Sequence, residues 1–319
     1  MALSKGSLKG ESSLDTLFNF GGLSREILDK QVPRFSVLPV PYDLTASYVS
    51  GMRNGPRAII EASTHMELYD DELGLESFEA GIETLPFLES TAVGPDKMIH
   101  RVQEAADWIL DAGRIPVILG GEHSVTLGMV RALLERYPKM SVLQLDAHAD
   151  MRDSYQGSPY NHACVARRIS ELCPIVQVGV RSLSIEEAEF MASEKTRPKK
   201  SKGIKTWYAR DMFGPKGFSL DKVVAGLTGE VCITIDLDCF DPAIMPATGT
   251  PEPGGFDWYG ALAVLKKVIE KRRVVGFDVV ELCPLPGNIA PDFLAAKLVY
   301  KIMGYIAYGK GKGPRKSPR

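Results

Sequence analysis

The sequence predicts a single α/β domain in which a mainly parallel sheet is covered by helices on both faces. Three observations lead there. Short apolar, β-branched runs recur along the chain, stretches of helical period lie between them, and several runs end in clusters of carboxylates and histidines. Strands that alternate with helices return through right-handed crossovers, which makes neighbouring strands parallel and buries both faces of the sheet. At 319 residues, with 45% hydrophobic and 24% charged side chains, the chain has ordinary globular composition and the length for one large core.

The elements follow in order. Residues 1–30 are expected to form an amino-terminal extension. The first buried strand is read at 34–39 (RFSVLP). Residues 96–112 (DKMIHRVQEAADWILDA) predict a helix, because Met98, Val102, Ala105 or Ala106, and Ile109 recur near a period of 3.6. Further strands are read at 115–119 (IPVIL), 141–145 (SVLQL), 175–180 (IVQVGV), 231–236 (VCITID) and 273–280 (RVVGFDVV). The basic stretch 194–205 (EKTRPKKSKGIK) predicts a solvated loop. Residues 309–319 (GKGKGPRKSPR) carry five basic residues and no acidic one, a composition that cannot bury a core and predicts a disordered tail. Neither an internal repeat nor a linker rich in Gly, Pro or Ser divides the chain, so 1–319 is expected to be one domain.

Composition narrows the function. A formal net charge of −2 gives no broad attraction to nucleic acid or to an anionic membrane, which favours a small-molecule partner. No stretch approaches the roughly 18 consecutive apolar residues that a membrane span needs, and the first 30 residues lack an apolar signal core, so a cytoplasmic location is expected. The cysteines at 164, 173, 232, 239 and 283 are scattered, odd in number and without a CxxC pair, which argues against a disulfide framework or a zinc knuckle. Cys164 lies near the candidate site and has no assigned role.

Four polar clusters sit where strands end. Residues 120–124 (GGEHS) supply His123. Residues 143–153 (LQLDAHADMRD) supply Asp146, His148 and Asp150 at every second position, the period that puts side chains of an extended chain on one side. Residues 236–242 (DLDCFDP) supply Asp236 and Asp238, and "VVELCP" supplies Glu281. Any one cluster alone is as well explained by turn or helix capping. Together they are not: four carboxylates beside two imidazoles repel strongly unless cations neutralise them. Two divalent cations with one hydroxide come close to balancing that charge. A donor set of imidazole and carboxylate without thiolate suits Mn²⁺ better than structural Zn²⁺, although Fe, Co, Ni or Zn could occupy the same cage. Such a pair, about 3.5–4 Å apart, supplies hydroxide at neutral pH, which implies hydrolysis.

"GGEHSVTLG", "LDAHADMRD", "YNHACVARR", "ITIDLDCFDPAIMPATGTPEPGG" and "VVELCP", spread over residues 120–284, together resemble the ureohydrolase family of arginases and agmatinases. Residues 42–63 (YDLTASYVSGMRNGPRAIIEAS) are similar to the amino-terminal segment of short bacterial and archaeal agmatinases. The resemblance implies an arginase-like three-layer α/β/α fold around about eight strands, two Mn²⁺ per chain, and a homo-oligomer, trimer or hexamer. By the same resemblance, His123 and Asp150 hold one manganese with Asp146 and Asp238, while His148 joins Asp146, Asp236 and Asp238 around the other. His162, preceded by Asn161 where the family usually has Ser or Asp, is the expected proton shuttle. Glu281 is expected to bind the guanidinium and Thr250 to line the pocket, with Thr248 structural and Glu252 unassigned. His162, Asp150 and Glu281 are the residues expected at the reacting centre.

The function this implies is hydrolysis of a guanidino compound to urea and an amine, with agmatine, giving putrescine, as the expected substrate. Arginine, guanidinobutyrate, guanidinopropionate, aminopropylagmatine and formiminoglutamate remain alternatives. Single-zinc deacetylase chemistry on a related fold lacks counterparts of His123 and Asp150, and a silent metal-bound scaffold would be expected to have lost a ligand.

Overall fold

The computed structural model describes residues 18–196, 201–215 and 218–309. The tail from Lys310, residues 1–17 of the expected extension and residues 197–200 of the basic stretch lie outside the described residues.

The strands are β1 (Phe35–Val40), β2 (Tyr69–Asp70), β3 (Leu75–Glu76), β4 (Ile82–Thr84), β5 (Ile115–Gly120), β6 (Ser141–Leu145), β7 (Ile175–Val180), β8 (Ile204–Tyr208), β9 (Glu230–Asp236) and β10 (Arg273–Val280). β2 and β3 form a small antiparallel pair. The others make one eight-stranded sheet in the order β4-β1-β5-β10-β9-β6-β7-β8, every pairing parallel. The six strands read from the sequence are the six interior members of that sheet. Every residue of β1, β6 and β7 is buried, which is why they read as continuous apolar runs. The two strands missed are its edges: only Ile82 of β4 is buried, and no residue of β8 is.

Helices pack on both faces. The helix Pro95–Asp111 has Pro95 in its first turn and buries Met98, Ile99, Val102, Ala106 and Ile109, so Ala106 rather than Ala105 faces inward. With the helix Thr126–Arg136 it closes one core, in which Met98, Val102, Val130 and Leu133 meet the sheet. The other face carries a second core, where Ile59, Leu265, Val299 and Ile302 pack from the helices Gly55–Ser63, Trp258–Lys271 and Ala290–Tyr308. Burying each such side chain contributes about 1.5–3 kcal/mol, so two cores provide the stability that lets one sheet edge hold concentrated charge. Residues 18–30 join the second core through Phe20 and Leu23, and Asn19 both donates to the Leu23 carbonyl and accepts from its N–H.

All five cysteines are free and buried. Burial, with Asp150 nearby, pushes the Cys164 thiol up to about 12, so it is a poor nucleophile. Among the described residues no helix is long and apolar enough to cross a membrane.

Candidate metal centre

β5, β10, β9 and β6 are consecutive neighbours in the sheet, and each delivers part of the site just beyond its carboxyl end. That is the edge at which open parallel sheets bind ligands. After β5, the Gly121 N–H donates to Val40 O at 2.9 Å and the Glu122 N–H to Tyr42 O at 2.7 Å. A Cβ on Gly121 would stand 2.1 Å from that Tyr42 oxygen, so only glycine permits the approach. The chain then enters the turn His123–Val125. After β9, Asp236 accepts from the Asp238 N–H at 2.9 Å and opens the turn Leu237–Cys239. After β10, Glu281 has φ 69°, an uncommon conformation outside glycine. Its N–H donates to Gly121 O at 2.7 Å and its Oε1 accepts the His123 N–H at 2.6 Å.

Asp146, His148 and Asp150 do meet, but not as an extended strand. β6 ends at Leu145, and Asp150 has φ 52°. A turn, pinned where the Ala147 N–H donates to Asp238 Oδ1 at 3.0 Å, brings them together. The three side chains therefore share one side through a left-handed turn rather than through an extended strand.

His123 Nδ1 lies 3.2 Å from Asp146 Oδ2, 3.2 Å from Asp150 Oδ2 and 3.3 Å from Asp236 Oδ2. On the far side of the ring, Nε2 is 2.9 Å from Thr234 Oγ1, whose hydroxyl donates to Asp278 Oδ1 at 2.6 Å. Since that hydroxyl proton goes to Asp278, Nε2 must be the donor, which leaves Nδ1 as the ring atom that faces the three carboxylates. Nδ1 is buried and has no hydrogen-bond partner. Such an atom, ringed by anions and backed by a Thr–Asp chain that fixes its tautomer, fits a metal ligand. His148 Nδ1 is 2.8 Å from Asp238 Oδ2, and its N–H donates to Asp146 Oδ1. Gln144 donates to Asp146 Oδ2 at 2.6 Å and is itself held by Gln177.

The donor atoms form two groups, His123–Asp146–Asp236 and Asp146–His148–Asp238, each within 4.8 Å, and Asp146 belongs to both. In this grouping Asp236 sits with His123 and Asp238 with His148, and Asp150 also reaches His123 Nδ1. Burial pushes Asp146 up to about 7, with repulsion from Asp150 and Asp238 adding to it. Burial and Asp238 likewise hold Asp236 well above the usual carboxylate range. Burial disfavours charge on His148, yet Asp238 overrides it and raises the imidazole to about 11, while Asp238 is held down to about 2. His123 is also raised, its three carboxylates outweighing its burial.

The cleft beside the cluster has a volume of about 150 Å³ and is lined by His148, Asp150, Asp236, His162, Thr250 and Glu281, with Tyr48, Arg152 and Tyr155 among its other walls. Burial, reinforced by Glu122, keeps Glu281 above its ordinary value, and burial lowers His162. Arg152 lies over the Tyr155 ring and 3.9 Å from Glu187. Thr248 is buried, as expected of a structural residue, and Glu252 meets Arg181 through its backbone carbonyl. Asn161 caps its turn by accepting the Ala163 N–H. Sequence reasoning overlooked Thr45, Glu122, Gln144, Thr234 and Asp278. For the last three the signal was a polar residue inside a buried apolar strand: "VLQL", "ITID" and "GFDVV".

Residues 33–304 match the model of the Arginase family. The chain is 39% identical over 276 residues to the N(1)-aminopropylagmatine ureohydrolase of Synechocystis sp., covering 84% of this chain and 88% of that protein. It is 35% identical over 282 residues to the agmatinase of Pyrococcus horikoshii, covering 86% and 92%. The crystal structure of the agmatine ureohydrolase of Thermoplasma volcanium superposes with a TM-score of 0.79 at 32% identity, over 94% of this chain and 98% of that one.

Proposed function

The chain belongs to the arginase family, and from that premise we propose that it is a manganese-dependent ureohydrolase that releases urea from a guanidino compound with an amine tail, agmatine or its N1-aminopropyl derivative. Hydrolysis of guanidino C–N bonds is the activity of the class. The observation that carries the finer reading is the convergence of His123, Asp146, His148, Asp150, Asp236 and Asp238 beside a cleft that also holds His162, Glu281 and Thr250.

In this reading the six side chains would hold two Mn²⁺, and Asp146 belongs to both donor groups. A bound metal pair lowers the pKa of water and so makes the nucleophile available at neutral pH. Glu281 receives the planar guanidinium, for which a carboxylate is the matched acceptor. Thr250 lines the same wall. His162, whose imidazole is lowered by burial, would take a proton from the attacking water and return it to the departing amine nitrogen, so that urea and a primary amine leave. A homo-oligomer, trimer or hexamer, belongs to the same proposal.

Agmatine is favoured over arginine because the stretch 158–162 is poor in anchors for an α-carboxylate: Pro159 has no N–H and Tyr160 packs beneath Arg131. Burying an unpaired carboxylate costs several kcal/mol. Two observations favour the longer substrate as a second reading. The cleft wall carries Tyr48, which is 81% exposed, so its outer end opens to solvent and leaves room for a longer tail. Relatives with 36–39% identity are named N(1)-aminopropylagmatine ureohydrolases.

The test is urea release by the manganese-loaded protein from agmatine, N1-aminopropylagmatine, arginine and guanidinobutyrate. The amine-tailed substrates should exceed arginine in kcat/KM by at least about 10²-fold. Equal turnover of arginine would overturn the substrate reading, and faster turnover of guanidinobutyrate would assign Arg152 to a substrate carboxylate.

A further inference from the structure

His162 is held by a buried network that the reaction described above does not use. Glu122 is fully buried and accepts three hydrogen bonds: from the Thr45 N–H at 2.6 Å, from the Thr45 hydroxyl at 2.8 Å, and from the Ser124 hydroxyl. The Thr45 oxygen has one proton and two lone pairs. With its proton directed at Glu122, it faces the His162 N–H at 3.0 Å and His162 Nδ1 at 3.1 Å. Both contacts can be hydrogen bonds only if Thr45 accepts both. Nδ1 must then carry the proton, and Nε2 is left as the basic nitrogen of the ring.

The carboxylate adds little to the mere connection of the two loops. They are already tied by the Gly121 N–H to Val40 O and the Glu122 N–H to Tyr42 O. Burying a carboxylate is costly, and a neutral side chain would fill the space without that cost. What Glu122 supplies, and a neutral group would not, is a fixed direction for the Thr45 hydroxyl proton. We propose that Thr45 and Glu122 are positioning residues that hold His162 as its Nδ1–H tautomer, so that Nε2 is the atom that takes up and returns the proton in turnover. The inference rests on the reading of His162 as the shuttle. Neither positioning residue has to touch substrate or metal.

The experiment uses the manganese-loaded full chain and the fastest substrate of the panel, with manganese content measured for each variant. Thr45→Val removes the hydroxyl at nearly constant volume. It should lower kcat on the order of 10-fold or more, the scale of groups that orient a functional histidine, with KM within about 3-fold and manganese content unchanged. Thr45→Ser should restore most of kcat. Glu122→Gln should reproduce the loss, since the amide turns a donor toward the Thr45 donors. In a His162→Ala background, Thr45→Val should cost nothing further, because residues acting through one group are not additive. Unchanged kcat in Thr45→Val, failure of serine to rescue, or an equal loss with and without His162 would overturn the positioning role. Full kcat in the single variant His162→Ala would overturn the shuttle reading itself, and that result is read before Thr45 is altered.

Discussion

Protein stripped of metal by a chelator should lose stability as pH rises from 6 to 8, and manganese-loaded protein should gain it. His148, raised to about 11, keeps its proton across this window. In the unfolded chain a histidine titrates near 6.5, so the native state holds about 0.2 more protons at pH 6 and nearly one more at pH 8. At about 1.4 kcal/mol per proton per pH unit, the loss integrates to on the order of 2 kcal/mol. Asp146, raised to about 7, acts with the same sign, because it releases in this window a proton that the unfolded carboxylate has already lost. His123 is raised as well and adds to the trend. Asp238, held near 2, matters only in acid, below the ordinary carboxylate value. His162 is lowered by burial and opposes them. Metal ligands must be deprotonated, so manganese affinity and the stability it confers rise with pH. Urea denaturation at pH 6, 7 and 8, with chelator and with excess manganese, would measure both slopes. Stripped protein as stable at pH 8 as at pH 6, or parallel slopes in the two series, would refute this cluster as the metal site.

Elemental analysis of the manganese-loaded protein should give close to two metals per chain, and Asp146→Ala should lose both more readily than His123→Ala, since only Asp146 belongs to both donor groups; a single tight metal with full activity contradicts this. Thr234→Val should weaken manganese binding by about 10–100-fold without unfolding the chain, because His123 Nε2 loses its orienting partner; unchanged affinity in a chelator competition would show that the Thr234–Asp278 chain is only structural. Glu281→Gln should cost at least about 10-fold in kcat/KM and retain manganese, because the amide keeps the shape but loses the charge that meets the guanidinium; loss of metal would reassign Glu281 to holding the His123 loop.

The centre of this fold is written openly in the sequence, and its rim is not. β5, β6, β9 and β10 are covered on both faces, so burial forces mostly apolar runs, broken by few polar residues, that end abruptly in charge at the carboxyl edge. β4 and β8 are covered less, and their sequences carry no such constraint. The same contrast divides the site. His123, Asp146 and Asp238 stand out because charged residues abut apolar runs, and the sequence motifs that resemble ureohydrolases contain them. Thr45 carries no such mark, because its function arises from a meeting with Glu122 and His162, 77 and 117 positions away. The left-handed turn at Asp150 was equally hidden, since aspartate adopts it without a glycine to signal it.

The strand order has a consequence for how the molecule is made. β9 and β10 are the last strands in the chain, yet they lie in the middle of the sheet, between β5 and β6. A nascent chain that has emerged only as far as β8 can form two parallel sheet fragments, one ending at β5 and the other at β6, each with an open backbone edge where its neighbour is still to come. The final third of the polypeptide must then enter as a wedge and join the halves. Asp236, Asp238 and Glu281 arrive with that wedge, so His123 and His148 wait on opposite sides of the gap until it closes. If the six side chains take up metal as proposed, uptake would be an act of the completed chain, and a time-resolved metal-uptake signal during synthesis would report closure of the sheet.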